Sequence, residues 1–198
     1  MRKLAILIAF TGASIPASAT TLQQLCFAEM AQKSTAIARV RVIRVSGVLR
    51  GADVYTVYHF ETLESLKAPV DGWTANVSVP GGAAGGIRQV VAGAPSLRVG
   101  NEYVLFLWTS RSGLTQIIGL SQGVFSVTPS PVGDAAAGDP LVTRAAAGER
   151  MLDTAGRPVR DQVLGMKWSE LKAQVRHALR DTGLRAVSLA ANVSARNR

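Results

Sequence analysis

Gly119–Leu120–Ser121–Gln122–Gly123 spells G-x-S-x-G, the pattern of a nucleophile elbow. Asp153 or Asp161, then His177, completes the chain order of an α/β-hydrolase triad. Such an elbow is a strand–turn–helix corner that lifts the serine clear of the backbone and aims helix amides at the oxyanion. Here Ser121 is followed by Val124–Phe125–Ser126–Val127, a strand pattern, and no His–Gly–Gly segment offers further oxyanion donors. His177 falls on a basic helical stretch and is expected at the surface. A serine hydrolase using Ser121 is therefore the alternative reading, and no catalytic residue is assigned.

Pro80–Gly81–Gly82–Ala83–Ala84–Gly85–Gly86 has the glycine content of a phosphate cradle. Ile87–Arg88 stands where a P-loop needs Lys and Ser or Thr. The spacing also differs from a dinucleotide fingerprint, and no helix follows. The segment reads as a wide loop between strands, with glycines at φ > 0 that let a partner's backbone approach closely. His59 and Glu61 share a strand face but lack a third member for a metal site or a proton relay. Glu61 and Glu64 fall on opposite faces. One cysteine and two histidines exclude an internal disulfide and any multi-cysteine metal cluster. No cofactor and no metal is expected.

Arg39, Arg41 and Arg44 lie on one strand, and Arg39 and Arg41 share a face as a basic stripe suited to a polyanion. The interleaved aromatic platform that stacks single-stranded nucleic acid is missing, so nucleic acid is not expected as a partner. Weak attraction to anionic polymers of the cell envelope is a further alternative.

These residues need elements to position them, and the elements need an address. Met1–Arg2–Lys3, the apolar run Leu4 to Ile15, and Pro16–Ala17–Ser18–Ala19 are the basic, apolar and small-residue parts of a secretory signal peptide. The run falls short of the roughly 20 apolar residues that span a bilayer. Cleavage after Ala19 is expected to leave 179 of the 198 residues in the periplasm or outside the cell. It removes two of the 22 basic residues and none of the 13 acidic ones, taking the formal charge from +9 to +7. No later run is long and apolar enough to cross a membrane as a helix. Leu25–Cys26 lacks the small residues of a lipobox.

The full chain, with 47% hydrophobic and 18% charged residues, has the composition of a folded domain. Thr21 to Gln32 reads as a short helix with Leu22, Leu25, Cys26 and Met30 on one stripe, so Cys26 is expected to be buried. From Thr35 to Val127 the pattern is β: Ala36–Val42 alternates, slips at Ile43–Arg44–Val45 as a bulge would, and turns at Gly47 to Ala52. Val54–Leu63, Trp73–Val79, Ile87–Val91, Gln116–Leu120 and Val124–Val127 follow as strands, with Tyr103–Trp108 as a fully buried one. Residues 20–128 are thus expected to form a helix plus a closed or partly open OB-like β-barrel, because closure removes exposed edges. Residues 129–165, rich in Pro, Gly and Ala, read as a linker. Residues 166–198 read as an amphipathic helix, with Trp168, Leu171, Val175, Ala178 and Leu179 on its apolar face, and a basic tail. That helix is expected to dock on the barrel through Trp168.

Tyr55–Thr56, Phe60, Leu66–Lys67, Pro80 to Gly86, Gly93, Pro95, Gly100, Tyr103 to Leu107 and Gly119 to Val127 together resemble a family of secreted bacterial proteins without an assigned role. Ser121 falls at a variable position of that pattern. The layout is also similar to netrin-like modules and tissue inhibitors of metalloproteinases, which are OB barrels. That likeness implies a binding barrel and an inhibitor-like role. Those inhibitors chelate zinc through an N-terminal cysteine held by disulfides; the expected N-terminus here is Thr20 and Cys26 is internal, so zinc chelation does not carry over. The function expected is an exported, non-enzymatic binding module. Its partner would be another exported protein, met by Pro80, Gly81, Gly82, Gly85 and Gly86 together with Arg39 and Arg41.

Overall fold

The computed structural model describes residues 21–68, 76–128 and 138–181. The leader expected over 1–19, the turn at Pro69 to Gly72, the start of the strand placed at Trp73 and the tail beyond Gly183 lie outside the described residues. In chain order the elements are β1 (Thr21–Gln23), α1 (Phe27–Lys33), β2 (Ala36–Arg50), β3 (Asp53–Lys67), β4 (Asn76–Pro80), β5 (Gly82–Ala84), β6 (Ile87–Gln89), β7 (Glu102–Thr109) and β8 (Thr115–Ile117). A 3-10 turn (Leu120–Gly123) follows, then β9 (Val124–Thr128), β10 (Leu141–Arg144), β11 (Arg150–Leu152), β12 (Pro158–Val159), β13 (Leu164–Lys167) and α2 (168–181).

β7 is apolar on both faces, so both faces must be covered. Tyr103, Leu105 and Leu107 enter one core with Ala36, Ala38, Val40 and Val42 of β2, Tyr58 and Phe60 of β3, and Val77 and Val79 of β4. Val104 and Phe106 enter a second core with Phe125, Val142, Met30 and the stripe of α2, where Trp168 is 4% exposed. The docking of α2 through Trp168 is thus as expected from the sequence. The buried strand ends one residue earlier than expected, because Trp108 is 44% exposed.

The main sheet has the order β13–β10–β9–β7–β2–β3–β4, with antiparallel pairing throughout. β9 takes one end of the outer edge of β7 (Tyr103 to Leu105), and β8 takes the other (Leu107 to Thr109). β4 lies alongside β8 without a hydrogen-bonded ladder between them. The sheet is therefore mainly β and curled, but not closed into a barrel. The physical reason is the shortness of both strands, and Pro80, which has no N–H to donate, at the end of β4. The bulge expected at Ile43 is present as a register shift between Val42 and Arg44.

Two expectations are corrected. The helix expected from Thr21 starts at Phe27, since Thr21–Gln23 pairs in parallel with Arg150–Leu152, a distant partner that no local periodicity reveals. Cys26 is consequently exposed rather than buried, and it caps α1: its Sγ accepts from Glu29 N at 3.4 Å while the Glu29 carboxylate accepts from Cys26 N at 3.2 Å. The stretch expected to be a linker carries β10 to β13 over residues 141–167, with Val142 fully buried. Strands of two to four residues are too short to show alternation against a Pro- and Gly-rich background.

Candidate functional site

β2 and β3 each run 15 residues, but β7 pairs with β2 only from Ala36 to Arg41. Beyond the bulge the two strands continue as an arm. β5 and β6 fold onto this arm as a small hairpin. Its turn is Gly85–Gly86, with φ of 55° and 77°, the two-residue geometry that matches strand twist and favours glycine. The segment read as a wide loop is therefore an ordered ribbon. It is clamped by Gly81 N donating to Val54 O at 2.8 Å, Thr56 Oγ1 donating to Gly81 O at 2.8 Å, and Val54 N donating to Gln89 Oε1 at 2.7 Å. Gly47 lies directly beneath: a Cβ there would sit 1.9 Å from Ala83 O. A shallow cleft of about 230 Å³ opens beside the ribbon, lined by residues that include Tyr58, Gly82, Arg88 and Pro95. The exposed Val90 lines it, and Val45 and Leu49 on β2 and Ile87 on β6 are exposed beside the ribbon.

Arg39 and Arg41 lie at the other end of β2. Gly47 lies six residue steps along the strand from Arg41, about 20 Å, so the structure does not bring the two parts of the expected surface together. Both arginines are neutralised. Arg39 Nη2 lies 2.6 Å from Glu102, and Arg41 bridges Glu102 at 2.7 Å and Glu61 at 3.1 Å. Partial burial works against the charge on Glu102, but hydrogen bonds and charge from Arg39 and Arg41 outweigh it and hold its carboxyl below the ordinary value. Glu64 accepts from Trp168 Nε1 at 3.0 Å and from Lys172 Nζ at 3.2 Å, and Lys172 and Arg39 flank the indole ring. The stripe is a buttress joining the sheet to α2. His59 meets Arg44 Nη2 at 3.2 Å.

Ser121 lies in the 3-10 turn and is followed by β9, not by a helix. Its Oγ is sealed from solvent and has no hydrogen-bond partner among the described residues. His177 is exposed on α2 and pairs with Asp181; Asp161 is paired with Arg144, and Asp153 with Arg157. No triad is assembled around Ser121. The motif does architectural work instead. Gln122 is 1% exposed; it accepts from Leu25 N at 2.9 Å and donates to Gln23 O at 3.0 Å, tying down the segment before α1. Leu120 takes a left-handed φ of 55° to make the corner.

The pair Arg144–Asp161 was not legible in the sequence; its side chains are 7% and 2% exposed and meet at 2.7 Å. Asp161 also accepts from Ala147 N at 2.8 Å, and Arg144 donates to Gln162 O. This pair borders a cleft of about 430 Å³ that Leu25, Cys26, Phe27 and Leu164 also line. Among the described residues, no group of three His, Cys, Asp or Glu side chains is placed to hold a metal ion, and no helix is long and apolar enough to cross a membrane. Compared with protein-family models, curated proteins and solved structures, the chain has no match in any of the three.

Proposed function

We propose that this chain is an exported, non-enzymatic protein-binding module whose contact surface is the glycine ribbon and the arm beneath it. One observation carries the reading. The ribbon is pressed onto Gly47 closely enough that any side chain there would collide with Ala83 O, and Val45, Leu49 and Ile87 are left exposed around the contact. Exposed apolar side chains gathered around a rigid backbone are a usual mark of a protein contact. The glycine segment stays in the surface; Arg39 and Arg41 leave it, because Glu102 and Glu61 already occupy them.

Export rests on the three-part pattern of residues 1–19. The OB-like, netrin-like layout belongs to this proposal too, and the approach of β4 to β8 supports it. Adhesion to envelope polymers finds less support, since Arg39 and Arg41, the expected stripe, are neutralised. The test is to shorten the ribbon by replacing residues 82–87 with a two-residue turn. Capture of a specific protein by the wild-type chain, lost with the shortened ribbon at unchanged folding, is expected. Equal capture by both would overturn the assignment.

A further inference from the structure

We infer that the bare edge of β2 beyond the bulge takes an extended segment of the partner as an added strand, and that this segment alternates acidic and apolar residues. The inference rests on the protein-binding reading and specifies the partner. At the root of the arm, Val42 N donates to Asn101 O at 3.1 Å and Gly100 N donates to Val42 O at 2.8 Å. From residue 43 to residue 50, the only backbone partner of β2 among the described residues is β3.

The direction of the free groups follows from the register. Val54 stands opposite Leu49, yet its N–H donates to Gln89 and its C=O accepts from Gly81, both on the far side of β3. Val54 and Leu49 are therefore a non-hydrogen-bonded pair, and the N–H and C=O of Leu49 point away from β3. The register from Val45 to Arg50 is unbroken, so Gly47 and Val45 point the same way. All three residues are exposed. Such a row of groups is a template for strand addition.

Chemistry on the two faces selects the segment. Val45, Gly47 and Leu49 share the face covered by Ala83, which suits apolar partner residues. Arg44, which meets His59, and Arg50, which stands opposite Asp53, lie on the opposite face; among the described residues neither they nor the exposed Arg98 near the root forms a salt bridge. Acidic residues at every second position of an added strand would meet Arg44 and Arg50 while the others face Val45 and Leu49.

The experiment titrates the full chain with four synthetic octapeptides, following the amide resonances of Val45, Gly47 and Leu49. They are an alternating Val/Glu peptide, its Val/Lys counterpart, a Val/Glu peptide of the same composition in two blocks, and the alternating Val/Glu peptide N-methylated at every residue, so that neither of its edges can donate. Saturable shifts at the three amides with the first peptide, at least ten-fold weaker binding by the other three, and loss of binding in Leu49→Pro are expected. Leu49→Pro removes an N–H that no ladder uses. Equal binding of N-methylated and unmodified peptides would reduce the effect to charge adhesion and overturn the inference. So would shifts elsewhere, or no binding. If the peptides fail while the ribbon-dependent capture persists, only the strand mode falls; if both fail, the protein-binding reading falls with it.

Discussion

Asp161 and Glu61 show how much the surroundings of one carboxylate decide. Asp161 is sealed against Arg144 and a backbone amide. Asp161→Ala leaves a buried cation without its partner, so a loss of about 3–5 kcal/mol in chemical denaturation is expected. Glu61 is half exposed beside Arg41, and Glu61→Ala is expected to cost under about 1 kcal/mol. Glu102 carries the acid response of the buttress. Its carboxyl lies below its ordinary value in the folded chain, so its contribution to stability is complete above the unfolded value, about 4.3, and is lost as pH falls through the lower folded one. Glu102→Gln should flatten the acid limb of a stability–pH curve in that window and leave neutral pH lower by a constant amount. An unchanged acid limb would show that other carboxylates dominate there.

Among elements, the ribbon and α2 make the clearest predictions. Gly47→Val places a branched side chain where Ala83 O lies, and limited proteolysis should then cut within residues 81–90 while the main sheet stays protected. Trp168→Ala empties the second core and removes the donor to Glu64, with an expected cost of about 3–5 kcal/mol. The docking of Trp168, the bulge at Ile43 and the cover over both faces of β7 were legible in the sequence, because each rests on local periodicity over six or more residues. The short helix and the fate of Cys26 were not. Leu22 and Leu25 keep a helical spacing, but Thr21–Gln23 pairs with a strand more than 120 residues away. β10 escaped for the same reason: it pairs with β9 and β13, and Val142 is buried in the second core under α2, which four residues cannot announce. At the candidate site, the positive φ of the glycines could be read from composition. The neutralisation of Arg39 and Arg41 could not, because Glu102 lies in a distant strand. The one local hint was the register of Glu61.

Viewed whole, the molecule is a curled sheet with a core on each face and an arm that carries a glycine ribbon on one side and a bare edge on the other. Its G-x-S-x-G letters serve to turn a corner, so a fluorophosphonate probe is expected to leave the folded chain unlabelled. Labelling that Ser121→Ala abolishes would revive the hydrolase reading. The most direct test of the central claim places a photo-crosslinking residue at Leu49, at Ile87 and, on the opposite side of the fold, at His177, in cells producing the chain. Discrete adducts with one protein from positions 49 and 87, and none from 177, are expected; no adduct from the arm, or the same adducts from all three positions, would contradict it.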